Sequence, residues 1–158
     1  MNDKNPITLE GHKKLQNELD QLIKVEREEI KQTIQEAREL GDLKENAEYH
    51  AAKEKQALIE GRISKLQHIL STSQVIDTSN IESDKIIFGA KVTLIDVNKD
   101  KTFVCKIVGD DEADSKTGSI SFKSPLGRAL IGKEEGDTVI VKAPKGDIEY
   151  EVDTLEFE

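Results

Sequence analysis

Over residues 15–70 the apolar side chains recur at spacings of three and four: Leu15, Leu19, Leu22, Ile23, Ile30, Ile34 and Ala37, then Ala47, Ala51, Leu58, Ile63, Leu66 and Leu70. Glycine and proline are scarce across the same stretch. A strand alternates its side chains every second residue and cannot carry such a period, so the stretch predicts two amphipathic helices. Thr8, soon after Pro6, suits the N-cap of the first, and Gly41 suits the left-handed residue that ends it. The second helix begins at once. So short a connection makes the pair antiparallel and sets Leu15 against Leu70, Leu19 against Leu66, Ile23 against Ile63 and Ile34 against Ala51. The expected product is a two-stranded coiled-coil hairpin with arms of about 30 residues, or ~45 Å. Its far end is "ELGDLKEN".

After residue 73 the period changes to two. The runs "QVID", "IIFGAKVTLIDV", "TFVCKIVG", "SISF", "DTVIVKAP" and "DIEYEVDTLEF" alternate or are β-branched, and Gly, Pro, Asp, Asn or Ser bounds each of them. They read as strands separated by turns. "SPLGRALIGK" breaks the series with a short helix, for which Ser124 and Pro125 supply the N-cap and first position and Gly132 the stop. The chain is therefore expected to be α+β: residues 1–73 a helical hairpin, residues 74–158 a small, mainly β domain with one short helix.

Residues 1–72 carry 12 basic and 14 acidic side chains, net −2, and residues 73–158 carry 11 and 18, net −7. With an overall charge of −9, a broad basic footprint for nucleic acid is excluded, and any such contact must be local or made through a protein partner. The single Cys105 cannot form an internal disulfide and reads as a small core residue in a strand. No basic start leads into an apolar run, and no stretch of about 18 apolar residues could span a bilayer. A cytoplasmic protein away from membranes is expected.

Asp42 and Glu45 raise the chemical question. Their D-x-x-E spacing is that of a capping box, in which Asp42 accepts a backbone N–H near Glu45 and Glu45 reaches back. Yet Glu39, Asp42, Glu45 and Glu48 crowd the end of a long hairpin, where like charges repel and no core can form. Exposed carboxylates in such a place suit a hard cation. Mg²⁺ takes one or two carboxylates and keeps several waters, so this pair alone makes an incomplete site that a partner must finish. Capping and metal binding are compatible.

"TLEGHKKLQNELD", "EARELGDLKENAEYHAAKEKQ", "EGRI", "IIFGAKV", "IVGDDEAD", "SPLGRALIGKEEGD" and "IEYEV" together resemble the bacterial Gre transcript cleavage factors, from about Thr8 to Phe157. The resemblance implies a coiled-coil hairpin followed by an FKBP-like domain. It also implies a monomeric accessory factor rather than an enzyme. The β domain would hold RNA polymerase at the mouth of its secondary channel, while the hairpin reaches the active centre and stimulates hydrolysis at the 3′ end of backtracked RNA. Two-metal hydrolysis needs one ion at the leaving oxygen and one at the attacking water. Asp42 and Glu45, matching the family's tip carboxylates, would help hold that second Mg²⁺, shared with polymerase, and position its water.

Weaker signals accompany this one. Arg38 and Lys53 meet the RNA backbone or form a solvated face, and the family usually has Arg where Lys53 stands. Tyr49 stacks on a displaced base or covers the thin Ala-rich seam. His50 packs or hydrogen-bonds, and His12 and His68 have no zinc-site spacing. Asp110, Asp111, Glu112 and Asp114 form a solvated turn or a docking surface for a basic feature of polymerase, with Ser124 and Pro125 as contacts nearby. Two other readings remain: a channel-binding inhibitor of polymerase, whose tip would depart from "GDLKEN", and a hairpin chaperone, whose tip would expose apolar side chains.

Overall fold

The period of three and four folds as two helical arms. The computed structural model describes residues 5–79 and 81–157. The first arm comprises α1 (Leu9–Gln21), a π-helical turn (Leu22–Glu26) and α2 (Arg27–Arg38), and the second is α3 (Ala47–Thr72). Thr8 caps α1 as expected: its Oγ1 accepts the Gly11 N–H at 3.0 Å. The buried stripe on the first arm is Leu15, Leu19, Leu22, Ile30, Ile34 and Ala37. The step from Leu22 to Ile30 is eight residues, one more than the steps of four and three that a continuous seam takes. The wide turn absorbs the extra residue. Arg27 N–H donates to the Leu22 carbonyl, five residues back, and Ile23 leaves the seam half-buried while Leu22 fills it.

On the second arm the buried residues are Ala52, Ile59, Ile63, Leu66 and Ile69. The expected Ala47 and Ala51 are exposed, Leu58 is 75% exposed and Leu70 is half-buried. Ile59, Ile63 and Leu66 step by four and three, whereas a step of five from Leu58 to Ile63 leaves the face. Gln56 occupies a seam-phased position and is half-buried, and its polarity hides the true stripe. Two ion pairs show that the arms run antiparallel: Arg62 grips both oxygens of Glu18 at 2.6 and 3.0 Å, and Arg27 reaches Glu60 at 3.0 Å. The expected pairings through Ile23 and Ala51 are lost because those two residues lie off the buried stripe. Pairs this exposed contribute about 0–1 kcal/mol each, so their effect is on alignment more than on stability. Gly61 is an exposed helix-interior glycine whose added Cβ would meet nothing within 4 Å. Gly61→Ala is expected to stabilise the hairpin by about 0.5–1 kcal/mol, seen as a higher urea midpoint at unchanged slope.

The other unit joins the described residues of Met1–Gly11 to those of Ser73–Glu158, while His12–Thr72 forms the hairpin unit. This differs from a division into 1–73 and 74–158. The reason is a strand absent from the sequence reading, β1 (Asn5–Thr8), which pairs in parallel with β2 (Ser73–Ile76), Asn5 opposite Ser73 and Thr8 opposite Ile76. Glu112 fastens it. Its carboxylate accepts the Thr8 N–H at 2.8 Å, the Thr8 hydroxyl at 2.5 Å and the Gly109 N–H at 3.1 Å. Gly11 and Gly109 are glycines because a Cβ at the first would strike Glu112 and at the second the Pro6 carbonyl.

The main sheet follows the expected strands: β3 (Ala90–Asp96), β4 (Lys101–Val108), β5 (Ser119–Ser121), β6 (Thr138–Ala143) and β7 (Gly146–Phe157), in the order β5-β4-β3-β7-β6. β3 lies central and antiparallel to β4 and β7, and β5 alone runs parallel to its neighbour. The alternating inner residues Val92, Leu94, Cys105, Ile107, Val139 and Val152 form the core with Ile86 and with Leu130 of α4 (Pro125–Leu130). Fully burying each such aliphatic side chain contributes roughly 1.5–3 kcal/mol. Burial pushes the Cys105 thiol from 9.0 up to about 11. The folded chain then keeps a proton that the unfolded chain loses above about pH 9, so stability falls as pH rises from about 9 to about 11, by up to about 2–3 kcal/mol. Urea unfolding at pH 8 and pH 10.5 is expected to show a smaller pH-dependent loss in Cys105→Ala than in the unchanged chain. Tyr150 is also raised, by burial, then by Asp96 and then by Cys105, so the variant keeps the first two parts of its share and loses the third. Among the described residues no helix is long and apolar enough to cross a membrane.

Candidate functional site at the hairpin tip

α2 closes at Glu39, whose N–H bonds to the carbonyls of Ala37 and Glu36, and residues 39–46 lead to α3. Gly41 lies in this loop with φ +139°, a value that L side chains rarely take. The second helix does not begin at once, and Asp42 does not cap it. Asn46 is the cap: its Oδ1 accepts the Tyr49 N–H at 3.0 Å. The same side chain donates from Nδ2 to the Ala37 carbonyl at 2.5 Å, so one amide ties the end of α2 to the start of α3. Asp42 instead closes a small turn, Oδ1 accepting the Lys44 N–H at 3.0 Å. Glu45 makes no hydrogen bond to any described side chain or backbone group, so the reciprocal half of the capping box is absent as well.

Glu39, Asp42, Glu45 and Glu48 are all exposed. One Asp42 oxygen is occupied by Lys44 and the other is open, while both Glu45 oxygens are open. Among the described residues no three of His, Cys, Asp and Glu are grouped to hold a metal ion unaided. Two hard, hydrated oxygen donors on an outward loop therefore fit a cation whose remaining ligands come from elsewhere.

Of the three side chains expected to face RNA, two come together. Arg38 lies 5.8 Å from the ring centre of the half-buried Tyr49, a cation–π contact across the two arms. Lys53 turns away, donating to Gln56 on its own helix at 3.1 Å. His50 sets its ring edge against Tyr49, and its Nε2 lies 3.3 Å from the Lys44 carbonyl, a supporting role as expected. The loop also exposes Leu40 (69%) and Leu43 (41%). An apolar tip is the feature expected of a chaperone, so these two leucines keep that alternative open. Their signal in the sequence was two leucines in a turn with no partner to bury them.

In the other unit, Ser124 caps α4 by accepting the Gly127 N–H at 3.0 Å and donates to the Ser121 carbonyl at 2.7 Å, which commits its hydroxyl on both sides. Pro125 beside it is exposed. The acidic run divides. Glu112 holds Thr8, Asp114 accepts the Lys116 N–H and its backbone pairs with Ser119, while Asp110 and Asp111 are exposed. Only the last two match a solvated or docking surface.

Residues 5–75 match the family model described as "Transcription elongation factor, N-terminal", and residues 81–157 match "Transcription elongation factor, GreA/GreB, C-term". The chain belongs to the GreA/GreB transcription elongation factor family. Among its GreA/GreB relatives, the transcription elongation factor GreA of Thermodesulfovibrio yellowstonii is 53% identical over 158 residues, covering 100% of both chains. That of Vibrio cholerae is 53% identical over 156 residues, 98% of this chain and 99% of its own. The solved structure of GreA factor homolog 1 from Thermus thermophilus is 28% identical, covers 97% of this chain and 99% of its own, and superposes with a TM-score of 0.44. As a GreA/GreB chain the protein joins a helical hairpin to a mainly β unit with a short helix, the α+β class expected from its periods.

Proposed function

We propose that the chain acts on RNA polymerase as an accessory factor, entering the secondary channel and stimulating the polymerase's own hydrolysis of backtracked RNA at its 3′ end. The observation that carries this is the tip: carboxylates of Asp42 and Glu45 with three open oxygens between them, held outward on a loop whose ends one side chain ties together. Such oxygens stabilise nothing in the fold, and their chemistry is that of hard-cation ligands.

Asp42 and Glu45 would hold a Mg²⁺ shared with polymerase. When bound, that ion would supply charge neutralisation and lower the pKa of its water, favouring the hydroxide that attacks phosphorus. Asp42, braced by the Lys44 N–H, presents its free oxygen without first having to order the turn. Glu45 would add a second negative oxygen donor and could accept a hydrogen bond from water. Arg38, drawn over Tyr49, would leave guanidinium N–H groups for a phosphate, and Tyr49 would offer its ring to a displaced base for stacking. Lys53 would add a point charge to the RNA backbone rather than a paired contact. The β unit would dock, through Pro125, Ser124 and the exposed Asp110 and Asp111, on a basic feature at the channel rim. The factor would act as a monomer in the cytoplasm.

The test is to add the full chain to stalled, backtracked polymerase carrying 3′-labelled RNA and to follow short fragments. Metal-dependent release is expected. Tight binding without release would make the chain a channel inhibitor, and no binding at all would leave the hairpin to a chaperone role.

A further inference from the structure

We infer that Asn46 is the positioning residue of the tip: its amide, bridging the two arms, sets where Asp42 and Glu45 stand. The inference rests on reading those carboxylates as the working groups. A helix N-cap needs only an acceptor, and Asp, Ser or Thr would serve. Asn46 does more. Its Oδ1 takes the Tyr49 N–H at 3.0 Å, and its Nδ2 gives a 2.5 Å hydrogen bond to the Ala37 carbonyl nine residues earlier. That carbonyl already accepts the Leu40 N–H at 3.1 Å, so the last turn of α2, the entry to the loop and the first turn of α3 converge on one amide. Ala37 is buried in the seam, which anchors the far end of the bridge.

Everything between the bridge points moves with it. Residues 39–45 have no core of their own: Leu40, Leu43 and all the acidic side chains are exposed. Two further ties act inside the loop, Lys44 N–H to Asp42 and the Lys44 carbonyl to His50 Nε2, but both are local or long at 3.0 and 3.3 Å. Opening the bridge would leave Asp42 and Glu45 on a loop that samples many positions. A cation would then meet the correct arrangement only part of the time, and its apparent affinity would fall by that fraction.

Asn46→Asp and Asn46→Ser separate capping from bridging. Both keep an acceptor for Tyr49. Aspartate has no proton to give the Ala37 carbonyl near neutral pH, and serine is too short to reach both partners. Both variants are expected to keep the helix content of the unchanged chain by circular dichroism and to compete with it for polymerase. At limiting Mg²⁺ their fragment release should fall about tenfold, the upper end of the loss expected from one partly buried hydrogen bond, and recover as Mg²⁺ is raised. A Mg²⁺ profile identical to that of the unchanged chain in both variants would overturn the inference. So would a loss that tracks falling helix content and does not recover with Mg²⁺, because that is capping alone. Without polymerase, the side-chain amide protons of Asn46 should exchange slowly in NMR spectra of the unchanged chain, and rapid exchange would also refute the bridge. If the unchanged chain releases no fragment while those protons are protected, the functional reading fails and the bridge is left as a purely structural clasp, which equally ends the positioning role.

Discussion

Asp42→Asn and Glu45→Gln chains will bind polymerase as the unchanged chain does and release at least about 100-fold less fragment from backtracked RNA at low Mg²⁺, the scale on which losing one charge-stabilising group slows a reaction. The structure makes this a clean experiment. Neither residue caps a helix. Asn at position 42 still offers an Oδ1 to the Lys44 N–H, so the turn survives, and Glu45 has no hydrogen bond to lose. Stability should therefore change by no more than about 0.5 kcal/mol, as for surface positions without a special role. What each substitution removes is one negative charge at an oxygen donor. Raising Mg²⁺ or Mn²⁺ should restore part of the activity, because a weakened site refills by mass action while other ligands remain. The assay is release rate against metal concentration for both single variants, with competition for polymerase run in parallel. Unchanged cleavage by a well-bound double variant would remove both residues from the mechanism.

A chain in which residues 12–72 are replaced by a flexible Gly/Ser crossover of about a dozen or more residues will compete for polymerase and promote no detectable cleavage. A simple C-terminal fragment is the wrong form of this experiment. Beginning at residue 75, it would lose β1 and leave Glu112 with one of its three donors, Gly109, having lost both from Thr8. Each lost hydrogen bond to a charged acceptor costs about 1.5–3 kcal/mol, enough to unsettle a small unit. Keeping residues 1–11 preserves the β1–β2 pairing and the Thr8–Glu112 contact. Because the two strands run parallel, the linker must return along them from Gly11 to Ser73, opposite Asn5, which takes about a dozen or more flexible residues. Cooperative urea unfolding would show that the shortened chain is folded. If it is folded and fails to displace the intact protein, docking belongs to the hairpin.

The sequence made the two periods legible because each reflects one physical demand, a buried stripe on a helix or a buried face on a sheet, and those demands dominate the energy of folding. It misled where a second, weaker demand intervened. Gln56 on the seam obscures the phase of α3 and makes Ala51 and Leu58 look like the stripe in place of Ala52 and Ile59, although Ile59, Ile63 and Leu66 carry the step of four and three. β1 was hidden because "NPIT" is too short to show an alternation, and its pairing depends on a carboxylate more than a hundred residues away. At the tip, the acidic residues stood out by their type. The capping role went to Asn46 because only the folded loop shows that its amide has two partners, one on each arm. The D-x-x-E spacing matched a capping box by coincidence of composition: helix starts and cation sites both favour acidic side chains.

The π-helical turn at Leu22–Glu26 gives the first arm a property that an uninterrupted helix lacks. In a regular helix each residue turns the chain by about 100° and advances it about 1.5 Å, so length and facing are locked together. A residue gained or lost anywhere along such an arm swings every later side chain off its mark. Here the two are uncoupled at one point: Ile30, Ile34 and Ala37 meet the seam despite one surplus residue before them. The arm behaves like a rod with a coupling that takes up one residue, so the distance from root to tip differs by that residue while the outer segment keeps its facing. If the tip carboxylates act as proposed, reach can be altered at this coupling without redesigning either the grip of the seam or the chemistry at the end.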